Sequence, residues 1–335
     1  MAAIDDLKRT DVVATSRKAR SPKLVITIPA YNEEETIAGV IQEIPREIDG
    51  VGSVEVVVLD DGSADATVAV SLAAGADRVI SHNVNKGLAA SFRDALREAL
   101  TRGADIIVNT DADNHYDQSR IPDLIRPILE GKADITIGSR NVGELPMRWT
   151  NKWGNMVGSF LVRKLAGLPA GMDVSTGFRA YSREAALGLN VISSHTYTHE
   201  TLIAAVESGL TIVDVPIPAR HVTRPSRLIK STASHVVRAL RVIIRSYAIY
   251  QPLRVFLTLA AVLIAAGMVP MIRFLVFFFT SGGGGHIQSL IVGSVLLLVG
   301  FQVLVLTLLA SSIAWNRKMI EEILYRVRKQ DYESD

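Results

Sequence analysis

Short aliphatic and β-branched runs alternate with amphipathic stretches between residues 23 and 217, which indicates an α/β domain. The short runs predict strands at 24–28, 54–59, 78–81, 105–109, 134–137, 178–181 and 211–215. The amphipathic stretches predict helices at 33–44, 65–74, 88–102, 119–130, 155–165 and 198–208. Continuous apolar strands are typical of parallel sheets covered on both faces. We therefore expect a mostly parallel sheet flanked by helices, with Asn32 and Ser119 as helix caps and Pro122 in a first turn.

Two longer apolar runs, at 255–272 and 287–315, are each long enough to cross a bilayer core of about 30 Å as a helix. Arginine and lysine flank both runs on their outer sides, whereas the connecting residues 280–286 are almost uncharged. Positive charge marks the cytoplasmic side of a membrane protein. The pattern predicts a two-helix transmembrane hairpin, with the α/β domain and both termini in the cytoplasm. A buried helical hairpin in a soluble protein is the alternative interpretation.

Residues 229–251 have the periodicity of an amphipathic helix, with Arg238, Arg241 and Arg245 on the face opposite the apolar side chains. A basic amphipathic helix directly before a span is expected to lie in the membrane interface. The predicted organisation is a mobile arm (1–22), an α/β domain (23–228), an interfacial helix (229–251), two transmembrane helices (252–316) and a charged cytoplasmic tail (317–335).

The amino-acid composition excludes several kinds of site. The chain has no cysteine, which excludes disulfides, cysteine-ligated zinc and thiol nucleophiles. Its formal net charge of +2 gives no indication of a nucleic-acid partner.

Polar motifs follow three predicted strands: Pro29-Ala-Tyr-Asn-Glu33, Asp60-Asp-Gly-Ser63 and Asp111-Ala-Asp113. Ligands of open parallel sheets bind beyond the carboxyl ends of the strands. The three motifs are therefore expected at one edge of the sheet, where packing alone does not explain them.

Asp111 and Asp113 are two residues apart in a segment expected to be extended, so their carboxylates point to one side and repel unless a cation lies between them. A divalent metal there is able to hold the diphosphate of a nucleotide and neutralise a leaving group. His115 has the same parity and is a candidate third ligand, which favours Mn²⁺ slightly over Mg²⁺. Solvated turns often contain Asp-x-Asp as well. The position of this pair at the end of a predicted strand is what favours a metal site.

Two turns offer further contacts. Asp61 is a candidate acceptor for a nucleobase N–H. A turn rich in capping residues explains Ser63 and Asp65, but it explains the adjacent aspartates Asp60 and Asp61 less easily. Asn85-Lys-Gly87 precedes a helix and offers backbone N–H groups to an anion, or is an ordinary turn.

Seven basic residues are candidates for a phosphate-bearing lipid acceptor, although each alone is more typical of a surface charge. They are Arg140, Arg148, Lys152, Arg179, Arg220, Arg224 and Arg227.

Together the motifs resemble those of the family-two glycosyltransferases with the GT-A fold, in the polyprenyl-phosphate branch that includes dolichol-phosphate mannose and glucose synthases. The matching segments are Ile28-Pro-Ala-Tyr-Asn-Glu-Glu34, Leu59-Asp-Asp-Gly-Ser-Ala-Asp-Ala-Thr67, Asp111-Ala-Asp113, Gly138-Ser-Arg140, Ser175-Thr-Gly-Phe-Arg-Ala-Tyr181, Val215-Pro-Ile217 and Arg224-Pro-Ser-Arg-Leu228.

The resemblance implies a role for each matching residue. Base and ribose contacts are implied for Pro29, Tyr31, Glu33 and Asp61. Binding of Mn²⁺ or Mg²⁺ is implied for Asp111, Asp113 and the residue at the position of His115, where glutamine is expected. Phosphate binding is implied for Arg140, Arg224 and Arg227, the last standing where lysine is more usual. Asp113 and these three arginines are thus the expected catalytic residues.

The implied reaction is inverting transfer of a hexose from a UDP- or GDP-linked sugar to a polyprenyl phosphate, dolichyl or undecaprenyl, which leaves a lipid-phosphate sugar. Assembly into a homo-oligomer is left open. A processive polysaccharide synthase is the nearest alternative, but Gln251-Pro-Leu-Arg-Val255 lacks the tryptophan of the usual Gln-x-x-Arg-Trp motif. A non-catalytic membrane scaffold is a third interpretation, against which Asp111 and Asp113 argue.

Overall fold

The computed structural model describes residues 21–139, 172–191, 197–218, 220, 251–282 and 287–333. This part of the chain contains a seven-stranded sheet in the order β3-β2-β1-β4-β6-β5-β7. Its strands are β1 (Lys23–Ala30), β2 (Ser53–Asp60), β3 (Arg78–Ser81), β4 (Ile106–Asn109), β5 (Ile135–Ser139), β6 (Arg179–Ser182) and β7 (Ile212–Pro216). Of these, β6 runs antiparallel to both of its neighbours. The predicted, mostly parallel α/β sheet is confirmed.

Helices cover both faces of the sheet because neighbouring apolar residues of each strand point to opposite sides. On one face, α3 (Leu88–Thr101), α5 (Arg183–Gly188) and α6 (Thr198–Glu207) contribute to a buried cluster that includes Val25 and Val57. On the other face, α1 (Ile37–Glu43) and α4 (Ile121–Leu129) pack on Ile26 and Val58, with α2 (Thr67–Ala73) at the margin.

The helix starts differ from prediction at two caps. The first helix begins at Ile37, and Asn32 instead adopts a left-handed conformation (φ 55°) and accepts a hydrogen bond from the Ala64 N–H at 2.9 Å. A 3₁₀ turn, Gln118–Arg120, precedes α4, and the Asp117 side chain caps it by accepting from the Ser119 N–H at 3.1 Å. Both predicted caps were therefore wrong, because loop contacts use these side chains elsewhere.

Some predicted elements fall outside the described residues. They are the helix at 155–165, most of the N-terminal arm, and the interfacial helix up to residue 250 with Arg238, Arg241 and Arg245.

Two long helices, α7 (Pro252–Ser281) and α8 (Ile287–Glu333), follow the α/β domain, and both have the length and composition to cross a membrane. They approach each other closely at glycines. A Cβ on Gly300 would lie 2.7 Å from Ile264 Cγ1, and one on Gly293 would lie 3.0 Å from the Met271 nitrogen. Small residues at such contacts are typical of helices packed in membranes. The predicted pair of apolar helices is confirmed.

The charged segment after the second apolar run continues α8 without a break as far as Glu333. We call residues 317–333 the strut. Tyr325 and Tyr332 of the strut pack against the cluster formed by α3, α5 and α6. The guanidinium of Arg328 donates to the carbonyl oxygens of Leu187 (3.1 Å) and Leu189 (3.0 Å), which lie at the end of α5. In return, Arg183 of α5 donates to the Tyr332 carbonyl at 2.8 Å. The strut therefore joins the apolar helices directly to the α/β domain.

Replacing Arg328 by alanine is expected to loosen this joint, because the last carbonyls of a helix need donors from outside the helix. Leaving partly buried carbonyls without a donor costs about 1–3 kcal/mol. Amide hydrogen exchange should become faster in α5 and the strut. The matched control is Arg326→Ala, since Arg326 is 76% exposed and, among the described residues, its ion-pair partner is Glu322 in the preceding turn of the same helix. Equal exchange in the two variants would show that Arg328 does not hold the joint.

Candidate active site

The register of three central strands places the polar motifs together. Strand β1 lies between β2 and β4, with Ala30 opposite Asp60 and Thr27 opposite Asn109. All three strands run in the same direction, so the segments after residues 30, 60 and 109 leave the sheet at one edge. The convergence predicted from the motifs is present.

Hydrogen bonds join the loop after β1 to the loop after β2. The Asn32 N–H donates to Ser63 Oγ at 2.8 Å, and the Glu33 N–H donates to Thr67 Oγ1 at 2.9 Å. These bonds hold Tyr31 at the edge of the sheet, where it is 46% exposed. Pro29 is buried, and the Glu33 carboxylate accepts from Thr36 Oγ1 at 2.9 Å. Of the three expected nucleotide contacts in this loop, Tyr31 is thus the most accessible.

Asp61 is only 4% exposed and organises the neighbouring loop. Its carboxylate accepts from the N–H groups of Lys86 (2.9 Å) and Gly87 (2.8 Å), and His82 Nδ1 lies 2.8 Å from it. The N–H groups predicted to meet a ligand anion are therefore already bonded to a carboxylate of the protein. Gly62, at φ 76°, allows this approach, since a Cβ there would lie 3.0 Å from the Val84 carbonyl carbon.

The two carboxylates after β4 differ in environment. Asp111 lies against Gly177, so closely that a Cβ on this glycine would be 2.6 Å from Asp111 Oδ1. Asp113 is 41% exposed, and its Oδ2 lies 2.7 Å from His115 Nδ1. The described residues contain no group of three or more His, Asp or Glu side chains placed to hold a metal. Asp111, Asp113 and His115 are therefore not grouped around one point in the described residues, although His115 contacts Asp113.

Three buried polar side chains that the sequence analysis did not single out hold the Asp111 loop against residues 175–178. Tyr116 Oη accepts from the Gly177 N–H at 3.2 Å, and Asn109 Nδ2 donates to the Gly177 carbonyl at 2.9 Å. The same Asn109 amide donates to Tyr197 Oη at 2.8 Å. Burial raises the pKa of Tyr197 well above its ordinary value, so the hydroxyl stays neutral. An asparagine that ends an otherwise apolar strand was the one sequence signal for this network.

Two members of the predicted basic cluster, Arg179 and Arg220, bond to other groups of the protein. Arg179 is fully buried and donates to the carbonyls of Val174 (2.9 Å), Thr176 (2.9 Å) and Thr198 (2.8 Å). Arg220 pairs with the Glu43 carboxylate and lies 3.3 Å from Asp117. The expectation that both face a phosphate is therefore not supported. The other members, Arg140, Arg148, Lys152, Arg224 and Arg227, lie outside the described residues.

Comparison with known proteins agrees with this geometry. The profile of the family described as Glycosyl transferase family 2 matches residues 25–188. Polyprenol monophosphomannose synthase of Mycolicibacterium smegmatis is 30% identical over 208 residues, which are 58% of this chain and 76% of that protein. Dolichyl-phosphate hexose transferase of Haloferax volcanii is 32% identical over 198 residues, 59% of this chain and 82% of that protein. This chain belongs to glycosyl transferase family 2.

The fold of this family 2 glycosyltransferase is also that of a solved enzyme. Glucosyl-3-phosphoglycerate synthase from Mycobacterium tuberculosis, in complex with Mn²⁺, uridine diphosphate and glucosyl-3-phosphoglycerate, matches with a TM-score of 0.51 at 24% identity. The match covers 66% of this chain and 80% of that one. It supports the GT-A-type architecture expected from the motifs.

Gly177→Ala tests whether the position of Asp111 matters. The new methyl group has no room beside the Asp111 carboxylate, so the carboxylate must move. A displacement of about 1 Å in a reacting geometry costs about 100-fold in rate, and we expect a loss of that order in sugar transfer. Gly188→Ala is the matched control, since no atom lies within 4 Å of a new Cβ there. Equal kcat/KM in the two variants would contradict the role of Asp111.

Proposed function

We propose that this glycosyltransferase transfers a hexose from a UDP- or GDP-linked sugar to a polyprenyl phosphate, dolichyl or undecaprenyl, at the cytoplasmic face of the membrane. The observation that carries this proposal is the union of a family 2 domain with two apolar helices through the strut. A domain tied to membrane helices suits an acceptor whose phosphate lies at headgroup level. The names of the mycobacterial and haloarchaeal relatives, a polyprenol and a dolichyl-phosphate enzyme, support the same acceptor class.

The donor is proposed to bind at the edge of the sheet formed by β1, β2 and β4. Tyr31 and Glu33, with Pro29 beneath them, are proposed to contact base and ribose, and Asp61 the base. The exposed Tyr31 ring supports this assignment, since an aromatic face is suited to a nucleobase.

Asp111 and Asp113 are proposed to hold Mn²⁺ or Mg²⁺. Carboxylate oxygens are the ligands that hard divalent cations prefer, and Asp113 is accessible to solvent, so the donor set fits. His115 is assigned to orienting Asp113, which it contacts, in preference to binding the metal. A bound ion would neutralise charge on the departing nucleoside diphosphate.

The acceptor needs no general base, because a phosphate monoester with a second pKa of about 6 is already mostly dianionic near neutral pH. One of its oxygens forms the new bond to the anomeric carbon as the bond to the diphosphate breaks, which inverts that carbon. Arg140, Arg224 and Arg227 are proposed to bind the incoming and departing phosphates, a task that suits the forked guanidinium group.

A substrate panel tests the proposal directly. Purified protein in lipid bilayers with dolichyl or undecaprenyl phosphate is incubated with radiolabelled UDP- and GDP-hexoses and Mn²⁺. One labelled hexose per lipid is the expected product. A lengthening polymer would favour a processive synthase, and failure with every donor would overturn the acceptor class.

The by-product distinguishes two chemistries. Sugar transfer to the phosphate should release a nucleoside diphosphate and give a lipid-monophosphate sugar that mild acid cleaves. Chromatography of the released nucleotide checks this. Release of a nucleoside monophosphate would mean that a sugar phosphate is transferred, and the mechanism above would be wrong.

Asp113→Asn should reduce transfer to background while leaving the melting temperature unchanged or slightly raised, because one of two nearby like charges is removed. EDTA should have the same effect on the wild type, and added Mn²⁺ should restore it. The control is Glu130→Gln, the same carboxylate-to-amide change at an exposed residue that pairs with Lys132 after α4. Full activity of the Asp113 variant, or of the wild type in EDTA, would exclude the metal role.

A further inference from the structure

His82 is a buried histidine that the mechanism above does not use. It follows β3 directly, and only 6% of its side chain is exposed. Each ring nitrogen meets a carboxylate: Nδ1 lies 2.8 Å from Asp61 Oδ1, and Nε2 lies 3.1 Å from Asp94 Oδ2. Asp61 follows β2 and Asp94 belongs to α3. The imidazole therefore bridges the sheet edge and a helix.

The bridge determines which carboxylate oxygen of Asp61 is able to accept a further hydrogen bond. Oδ1 contacts both the His82 ring and the Lys86 N–H, whereas Oδ2 receives only the Gly87 N–H from the part of the chain that the structure describes. A carboxylate accepts about four hydrogen bonds, two at each oxygen. One acceptor position therefore remains, on Oδ2, and the contacts on Oδ1 prevent the carboxylate from rotating.

The burial of the Asp61 carboxylate gives a second reason for the bridge. An almost fully buried carboxylate is costly unless donors or cations surround it. Among the described residues, the cationic side chains near Asp94 are Arg93, at 3.6 Å, and Lys86, at 4.0 Å, and both are partly exposed to solvent. The His82 ring is the side chain that bonds to Asp61 itself.

We propose that His82, held by Asp94, is a positioning residue for the nucleotide donor. It fixes the Asp61 carboxylate and the loop of residues 82–87, so that the remaining acceptor position on Oδ2 meets a ring N–H of the base. Uracil and guanine present such an N–H, whereas adenine and cytosine present a bare ring nitrogen at the corresponding place. The inference rests on the proposed contact of Asp61 with the base, and predicts that His82 sets the preference among bases.

Calorimetric titration of the full-length protein with UDP, GDP, ADP and CDP, without acceptor lipid, tests the inference. The variant His82→Phe keeps a ring of similar size and removes both nitrogens. We expect affinity for the preferred diphosphate to fall about 10-fold, the usual loss for a hydrogen bond to a charged group. Affinity for ADP and CDP should change little, so the preference among bases should largely disappear. In transfer assays, KM for the donor should rise while kcat and KM for the lipid stay within about twofold.

A second pair of variants covers the case in which His82→Phe fails to fold. Asp94→Asn keeps the shape of the outer partner and removes its charge, and we expect a smaller loss of the same base preference. Glu98→Gln is the matched control, one turn further along α3, where Glu98 lies 3.6 Å from Arg102. It should leave the preference unchanged.

The outcomes separate the two proposals. An equal loss of affinity for all four diphosphates, with a lower melting temperature, would assign His82 a merely structural role and overturn the inference. Unchanged base preference in both His82→Phe and Asp94→Asn would also overturn it. Failure of the wild type to bind any nucleoside diphosphate would instead count against the proposed function itself.

Discussion

The parallel register of β1 with its two neighbours is the constraint on which the candidate site depends. Side chains alternate between the faces of a strand, so a slip of one residue would turn each motif to the wrong side. The register is specified by apolar residues on both faces, since Ile26 and Val25 enter different buried clusters. The carboxylates at the strand ends are therefore positioned by the core beneath them.

Behind this edge of the sheet, buried polar side chains hold the loop of residues 174–177 in place. Asn109, Tyr116 and Arg179 bond mainly to backbone atoms of residues 174–177 and 198. A buried polar group that loses its partner costs more than a formed bond contributes. Such a network tolerates few alternative loop conformations, which suits a site that must hold a charged donor in one orientation.

The sequence predicted the strands and the carboxylates at their ends, but it did not predict the contacts of Arg179 and of the strut. β3 was predicted with its observed bounds, and the strand-end aspartates were found because apolar runs and terminal carboxylates are visible locally. Arg179 was misread because arginine is rarely buried, and its carbonyl partners around residues 174–198 are not evident from the sequence. The strut was read as a tail because ion pairs such as Arg317–Glu321 and Arg326–Glu322 are typical of solvated helices. Its contacts with the α/β domain, through Arg328, Tyr325 and Tyr332, distinguish the strut from a solvated tail.

The unbroken α8 helix has a consequence for how such a protein is able to vary. Each residue of an α-helix adds about 1.5 Å of length and about 100° of rotation. An insertion or deletion between Trp315 and Arg328 would therefore change the height of the α/β domain above the apolar segment and also turn its docking face aside. The height and the orientation of the α/β domain are therefore coupled. Only insertions or deletions of about one or two whole helical turns change the length of the strut and keep its docking face in place.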